Sequence, residues 1–337
     1  MKAVFFETAP WERRYLTRAL APSTLQVRCL TEPLTDATRR LADGAAILSV
    51  FIYSTLTAAV LRRLPRLKFV ATRSTGFDHI DLAACRARRM AVSNVPSYGE
   101  NTVAEHTMAL ILALSRNIHK AYVQTIKGDF SLEGLQGFDL KGKTLGVVGG
   151  GHIGLHVIKM AKGFGMEVLV HDARKNLFLS EVLDYQYVPL DTLLRRSDIV
   201  SLHVPYMPAT HHLMNRRTFR LMKRGALLIN TARGGLVDTA SLVQALDEGR
   251  VGGAGLDVLE GEELVKEERQ LLSTDFPKQK LATALRNHIL LHRENVVITP
   301  HIAFDSKEAL QRILDTTVTN ITGFLSGAPV NLVSEGT

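Results

Sequence analysis

Residues Thr144–Asp172 read TLGVVGGGHIGLHVIKMAKGFGMEVLVHD. Thr144–Val148 is a short apolar, β-branched run, the pattern of a buried parallel strand. It leads directly into Gly149-Gly150-Gly151-His152-Ile153-Gly154, a G-x-G-x-x-G. Ile153, Val157, Met160 and Ala161 then recur at helical spacing over 152–164. A second strand, Glu167–His171, ends at Asp172, which lies 18 positions beyond Gly154. Each part has a physical task. Gly149 makes a tight turn, Gly151 lets a pyrophosphate approach the backbone, and Gly154 lets the helix pack close to the strand. The helix N-terminus offers unpaired N–H groups to phosphate, and Asp172 can accept a hydrogen bond from a ribose 2′-hydroxyl. Strand, glycines, helix, strand and acid in this order predict a dinucleotide-binding unit, with His152 and Ile153 at the helix start beside the phosphates.

The rest of the 337 residues is enough for two domains of ordinary size. An apolar fraction of 46% with 22% charged residues is that of a soluble globular protein. Cys29 and Cys85 are the only cysteines, which gives no disulfide framework and makes a reducing cytoplasm the expected setting. MKAVFFETAP has too short an apolar part for a signal peptide and reads as a first strand. No apolar run approaches the ~20 residues of a membrane span. The formal charge of +8 is spread over small arginine groups such as Arg62-Arg63 and Arg86 with Arg88-Arg89. Their place within or at the ends of helices favours solvated faces over nucleic-acid binding. No metal site is assigned.

Upstream, strand-like runs at Lys2–Phe6, Leu25–Cys29, Ala46–Val50, Lys68–Ala71 and Ala91–Ser93 alternate with helical stretches near 10–20, 34–42, 55–64 and 81–89. This predicts a small parallel sheet covered on both faces. Its loops Val50–Tyr53, Arg73–Asp78 and Pro96–Asn101 fall at strand carboxyl ends, where open parallel sheets bind ligands. Thr102–Leu114 is a helix apolar nearly all round, expected to be buried at a domain junction, with a capping box at Thr102/Glu105 or Ser97/Glu100. Residues 119–142 read as a polar surface connection, and Arg174-Lys175-Asn176 open a loop. Downstream strands are expected at Gln186–Val188, Asp198–His203, Ala226–Asn230, Gly253–Leu256 and Val296–Thr299, with helices at 190–196, 216–223, 238–248 and 306–325.

Three polar residues follow strand ends in this second half. They are Arg233 in NTARGGLVD, Glu262 after GLDVLEGE and His301 in ITPHIAF. Strand ends of one parallel sheet share an edge, so these residues can meet. An arginine grips a carboxylate with two parallel hydrogen bonds. A histidine exchanges protons near neutral pH, and a neighbouring carboxylate favours its charged form. Beside a nicotinamide, that set suits hydride transfer to a 2-keto acid. Each also has an ordinary structural reading. His301 is one of 12 histidines, Glu262 lies among Glu260, Glu263, Glu267 and Glu268, and Arg233 beside two glycines can cap a helix.

Seven motifs add to this, in order along almost the whole chain: TRSTGFDHIDL (72–82), VSNVPSYGENTVAEHT (92–107), GVVGGGHIG (146–154), SDIVSLHVPY (197–206), INTARGGLVD (229–238), GAGLDVLEGEE (253–263) and NVVITPHIAF (295–304). With them the chain resembles the D-2-hydroxyacid dehydrogenases, most of all the D-lactate branch. The resemblance implies two doubly wound parallel-sheet domains with a cleft between them. One is a Rossmann-type NAD-binding domain at 101–301, and the other a flavodoxin-like substrate domain at 1–100 and 302–337. It implies that Arg233, Glu262 and His301 form the catalytic set and that Asp257 lies near the nicotinamide carboxamide. His203, Val204, Pro205, Thr231 and Ala232 would line the cofactor site. Ser74, Thr75 and Gly76 would present backbone to the substrate carboxylate, Tyr98 would close over it, and Phe51 would limit substrate size.

The activity implied is NAD-dependent reduction of a small 2-keto acid, pyruvate first, by a cytoplasmic homodimer with no nucleic-acid or membrane partner. Two alternatives stay open. One is a relative acting on hydroxypyruvate, glyoxylate, a branched-chain keto acid or phosphoglycerate, and the other an NADH-sensing corepressor-like binding protein. Asp305 stands where lactate enzymes of this type often carry a second aromatic residue. Arg174 and Lys175 follow Asp172 closely enough to accommodate a 2′-phosphate, and the charged stretch 263–292 has no assigned role.

Overall fold

The computed structural model describes residues 1–261 and 278–333. The chain forms two compact units, Met1–Gly99 with Asp305–Thr337, and Glu100–Phe304.

The first unit is built on β1 (Lys2–Phe5), α1 (Pro10–Ala19), β2 (Gln26–Cys29), β3 (Ile47–Val50), α2 (Ala58–Arg62), β4 (Phe69–Thr72), α3 (Leu82–Ala87) and β5 (Ala91–Ser93). The five strands form one parallel sheet in the order β2-β1-β3-β4-β5. β3 and β4 are buried at every position, which is why ILSV and FVAT read as continuous rather than alternating runs. The last helix of the chain, Lys307–Leu325, covers one face, and Phe324 stacks on Phe69 with ring centroids 4.5 Å apart. Such a pair adds about 0.5–1.5 kcal/mol beyond the area it buries.

The helix expected at 34–42 does not form; only a short 3₁₀ turn, Arg39–Ala42, is present. The reason is local. Thr38 Oγ1 donates to the Pro33 carbonyl (2.7 Å) and accepts from the Thr35 N–H (2.8 Å), so hydroxyl–backbone bonds take the place of the helical ladder.

The second unit contains α4 (Glu100–Ser115), α5 (Ile118–Ile126), β6 (Thr144–Val148), α6 (His152–Gly163), β7 (Glu167–His171), α7 (Leu177–Val182), β8 (Gln186–Tyr187), α8 (Leu190–Arg196), β9 (Ile199–Leu202), α9 (Arg216–Leu221), β10 (Ala226–Asn230), α10 (Thr239–Asp247), β11 (Val251–Leu256), α11 (Lys278–Leu291) and β12 (Val296–Ile298). The C-terminal helix of the first unit is α12. The seven strands are all parallel, in the order β12-β11-β10-β9-β6-β7-β8. The chain runs outward from β6 through β7 to β8, then returns to β9 on the other side. The switch point therefore lies between β6 and β9, where doubly wound sheets receive their ligands.

α4 is buried along most of its surface, as its composition requires. Its close approach to β11 bears on two of the three glycines of that strand. A Cβ on Gly255 would come within 3.0 Å of Leu110 Cβ, and one on Gly253 within 3.4 Å of a Leu114 methyl. The helix starts at Glu100, so Thr102 lies inside its first turn and Ser97 lies outside it, and neither is the residue that directly precedes the helix. Three helices go beyond the expected set: α5, which falls in the stretch read as a polar surface connection, α7 and α11. α7 is largely exposed and its start is fixed by Asn176, whose Oδ1 accepts the Leu179 N–H (3.0 Å). Among the described residues no helix is long and apolar enough to cross a membrane.

Candidate active site at the carboxyl edge of the seven-stranded sheet

The turn after β6 takes the shape its glycines permit. Gly149 has φ of 103°, a conformation that L side chains avoid, and its N–H donates to the His171 carbonyl (2.8 Å). A Cβ on Gly149 would collide with the His203 carbonyl at 2.6 Å. One on Gly154 would lie 2.1 Å from the Gly149 carbonyl oxygen, so that glycine lets α6 seat against the turn. Gly151 differs from both. It is the residue before α6, and a Cβ there would meet nothing within 4 Å. Open space beside a helix N-terminus with free N–H groups suits a pyrophosphate. The Asp172 carboxylate accepts the Gly150 N–H (2.7 Å) and the Arg174 N–H (2.8 Å), one on each oxygen. Lone pairs remain on both oxygens for a ribose hydroxyl.

His152 is largely exposed, with Nδ1 3.5 Å from Glu100, while Ile153 packs on the core. On the opposite side of the switch point, His203 follows β9 and bonds through Nε2 to the Ser201 hydroxyl (2.8 Å). Desolvation pushes its pKa down to about 4, so the imidazole is neutral at pH 7. Val204 is half-buried, and Pro205 is exposed.

β10, β11 and β12 are neighbours, so Arg233, Asp257 and His301 leave adjacent strand ends. The Asn230 side chain shapes the first of these turns. Its amide donates to the Arg233 carbonyl (2.9 Å) and its Oδ1 accepts the Ala232 N–H (3.1 Å). Arg233 Nη1 donates to the Ala232 carbonyl (2.8 Å). Beside it the Thr231 hydroxyl bonds to that of Thr107 (2.9 Å).

Asp257 is 1% exposed and organises the turn that carries His301. Its Oδ1 accepts the Thr299 hydroxyl (2.5 Å) and the Ile302 N–H (2.9 Å), and its Oδ2 accepts the Ala303 N–H (2.9 Å). His106 Nε2 lies 3.0 Å from Thr299 Oγ1 and 3.5 Å from the same carboxylate. His301 itself is left-handed, with φ of 57°, and its N–H donates to the carbonyls of Asp257 and Thr299 (2.9 Å each). That conformation costs a non-glycine residue about 1–2 kcal/mol. The anchored flanks compensate for it, as at other strained functional positions. Glu262 lies outside the described residues. The sheet thus brings together Gly149–Gly154, His203, Thr231–Arg233, Asp257 and His301 along one edge, in the spatial order of β6, β9, β10, β11 and β12.

The role of Asp257 in shaping the His301 turn, with His106 and Thr299 beside it, was not legible in the sequence. Thr299 and Asp257 are 42 residues apart, and only the parallel pairing of β11 with β12 joins them.

The remaining sequence-based residues belong to the first unit. Phe51 follows β3, and its N–H is held by Glu7 (2.8 Å). Ser74 is buried, its hydroxyl bonded to Thr72 (2.8 Å) and to the Gly76 carbonyl (2.6 Å). Thr75 is exposed and donates to the Val95 carbonyl (2.8 Å). Tyr98 is half-buried, and its carbonyl accepts from Arg312 Nε (2.5 Å). A recess of about 240 Å³ in this unit, lined by Asp43, Arg63 and Arg66 among others, lies where chain enters β3 and β4, at the opposite edge from these loops.

Residues 108–303 match the family model described as D-isomer specific 2-hydroxyacid dehydrogenase, NAD binding domain. The chain belongs to this family. The D-lactate dehydrogenase kk1H of Curvularia clavata is 38% identical, over 98% of this chain and 94% of its own. A glycerate dehydrogenase of Methylorubrum extorquens is 38% identical over 82% of each chain. Among solved structures, the D-lactate dehydrogenase of Aquifex aeolicus complexed with NAD and lactic acid superposes with a TM-score of 0.86 at 37% identity, covering 98% of this chain and all of that one. As a member of the D-2-hydroxyacid dehydrogenases, the chain is an NAD-dependent oxidoreductase acting on CH–OH groups. The open space at Gly151 and the free N-terminus of α6 fit that cofactor.

Proposed function

We propose that this enzyme reduces a small 2-keto acid to the D-2-hydroxy acid, with pyruvate and D-lactate as the first pair. The observation that carries the reading is the row of Gly149–Gly154, Arg233, Asp257 and His301 along one carboxyl edge, with His301 held in a strained turn. The similarity to D-lactate dehydrogenases supports the substrate, and the glycerate dehydrogenase makes hydroxypyruvate the principal competitor.

NADH supplies a hydride to C2 of the keto acid. Arg233 holds the substrate through its planar fork of donors and polarises the carbonyl. His301 gives its proton to the oxygen that becomes the hydroxyl, and takes it back when the hydroxy acid is oxidised. Glu262 keeps that imidazole charged and oriented. Asp172 binds the adenosine ribose, and Asp257 orients the carboxamide while fixing the His301 turn. His152, Ile153, His203, Val204, Pro205, Thr231 and Ala232 complete the cofactor site. Ser74, Thr75 and Gly76 offer backbone donors to the substrate carboxylate, Tyr98 covers it, and Phe51 limits its side chain. The segments around 1–100 and 302–337 make up the substrate domain, and 101–301 the NAD-binding domain.

We further place the protein in the cytoplasm as a homodimer. Two free cysteines suit a reducing compartment, and a cluster of exposed apolar side chains on and after α5 suits a second copy.

The test is kcat/KM against pH in both directions, for wild type and His301→Ala. Reduction needs the imidazolium and oxidation the neutral ring, so the first should fall and the second rise as pH increases. His301→Ala should lower turnover by about 10²–10⁴ and leave NADH affinity nearly intact. Near-normal turnover would remove His301 from the chemistry. NADH binding without turnover of any keto acid by wild type would favour a sensing role.

A further inference from the structure

The order β2-β1-β3-β4-β5 reverses at β1, so the switch point of the first unit lies between β1 and β3. Glu7 stands just beyond β1, and Phe51–Ser54 follow β3. The Glu7 carboxylate spans the two. It accepts the Phe51 N–H on Oε2 (2.8 Å), the Tyr53 N–H on Oε1 (2.8 Å), and the Ser54 hydroxyl. To do this Glu7 is left-handed, with φ of 54°, a conformation unfavourable for any residue with a Cβ.

Arg73 locks the same region from below. It is 1% exposed, and Nη2 donates to the carbonyls of Phe6 (2.6 Å) and Glu7 (2.8 Å). Nη1 donates to the Ser49 hydroxyl (3.1 Å), and the backbone N–H to the Val50 carbonyl (2.8 Å). The Phe51 ring lies over the guanidinium, 5.9 Å from its carbon. Ser74, Thr75 and Gly76 follow directly in the chain.

A buried cation and a strained carboxylate are a costly way to hold a loop, because apolar packing would serve a purely structural need at lower cost. What they fix is the aromatic side chain and the backbone assigned above to substrate recognition. We propose that Glu7 and Arg73 are positioning residues for keto-acid specificity, holding the Phe51–Ser54 loop and the Ser74–Gly76 turn in one shape. This rests on the reading of Phe51 as the residue that limits substrate size. With the loop rigid, the Phe51 ring excludes branched side chains; with it loose, the ring yields to them.

Glu7→Gly is the test, since glycine suits the backbone at this position and keeps the carbonyl that Arg73 holds. In the full-length enzyme the KM for pyruvate should rise about tenfold, with kcat within about threefold of wild type. The ratio of kcat/KM for pyruvate to that for 2-ketoisocaproate should fall about tenfold, and the KM for NADH should stay within about twofold. In a Phe51→Ala background, adding Glu7→Gly should change that ratio by less than about twofold, because the ring it positions is gone. A folded Glu7→Gly enzyme with an unchanged ratio overturns the proposal, as does an equal effect with and without the Phe51 ring. If glycine prevents folding, Glu7→Gln decides by the same readouts, since its NH₂ must face one of the two backbone donors. Phe51→Ala alone separates the two ideas. An unchanged ratio there removes Phe51 from specificity and the positioning role with it. A changed ratio there, with Glu7→Gly inert, overturns the positioning role alone.

Discussion

Asp257 is a buried carboxylate that holds the turn beside the candidate chemistry. Its three accepted hydrogen bonds are all on the turn that bears His301. Asp257→Asn must set an NH₂ against at least one of those donors, at a cost of about 1–3 kcal/mol for the orphaned group. A lower Tm and a fall in kcat of about tenfold or more are expected, read by calorimetry and steady-state kinetics. Arg233→Lys keeps the charge and loses the fork, so kcat/KM for the keto acid should fall by roughly tenfold to a thousandfold while NADH binding holds; normal turnover would remove Arg233 from the substrate site. His203 has a different signature. Its folded pKa is depressed to about 4, below the ordinary 6.5, so the unfolded chain takes up a proton first as pH falls. Its contribution to stability is therefore full above pH 6.5 and is lost progressively down to about 4. His203→Gln should flatten the decline of Tm over that window, and an unchanged slope would assign acid sensitivity elsewhere. At this scale Arg233 and His301 stood out in sequence because each follows a strand end, whereas Asp257 and His203 were marked only by the family resemblance. The strain at His301 and the bonding of the buried acid beneath it were not legible, because φ and long-range hydrogen bonding leave no local pattern.

The turn between β6 and α6 offers a cleaner contrast. Gly151→Ala adds a methyl to open space, so Tm should hold while the KM for NADH rises at least about tenfold, the methyl occupying the approach to the phosphates. Gly154→Ala drives a Cβ into the Gly149 carbonyl, so both Tm and NADH affinity should fall. If Gly151→Ala binds NADH normally, the phosphates lie elsewhere. Elements with an inward apolar face, such as β6, β7, α6 and α8, were read from sequence to within a residue or so. α7 was missed because Leu177, Phe178 and Val182 are exposed and give no core-facing period. The helix expected over 34–42 failed for the opposite reason: its pattern is helical, but threonine hydroxyls captured the backbone. Strand order emerges only from pairing, so the two switch points that organise both units were beyond sequence reasoning.

For the whole molecule, the exposed apolar cluster on and after α5 is the feature a solitary chain explains least. Ile118, Tyr122 and Ile126 recur at helical spacing, and Phe130 and Leu132 are 80% and 84% exposed. Tyr122→Glu with Ile126→Glu should convert a dimer to monomers by sedimentation velocity, and a monomeric wild type would contradict the assignment. Asp172 should also repel the extra phosphate of NADPH, giving NADH the higher kcat/KM; equal efficiency would turn attention to Arg174 and Lys175. The central claim is the substrate itself. The most direct measurement is NADH oxidation by the wild-type enzyme with pyruvate, hydroxypyruvate, glyoxylate and 2-ketoisocaproate, with the configuration of each product determined. The highest kcat/KM should belong to pyruvate, with D-lactate as its product. A higher value for hydroxypyruvate or 2-ketoisocaproate, or L-lactate as product, would contradict the account.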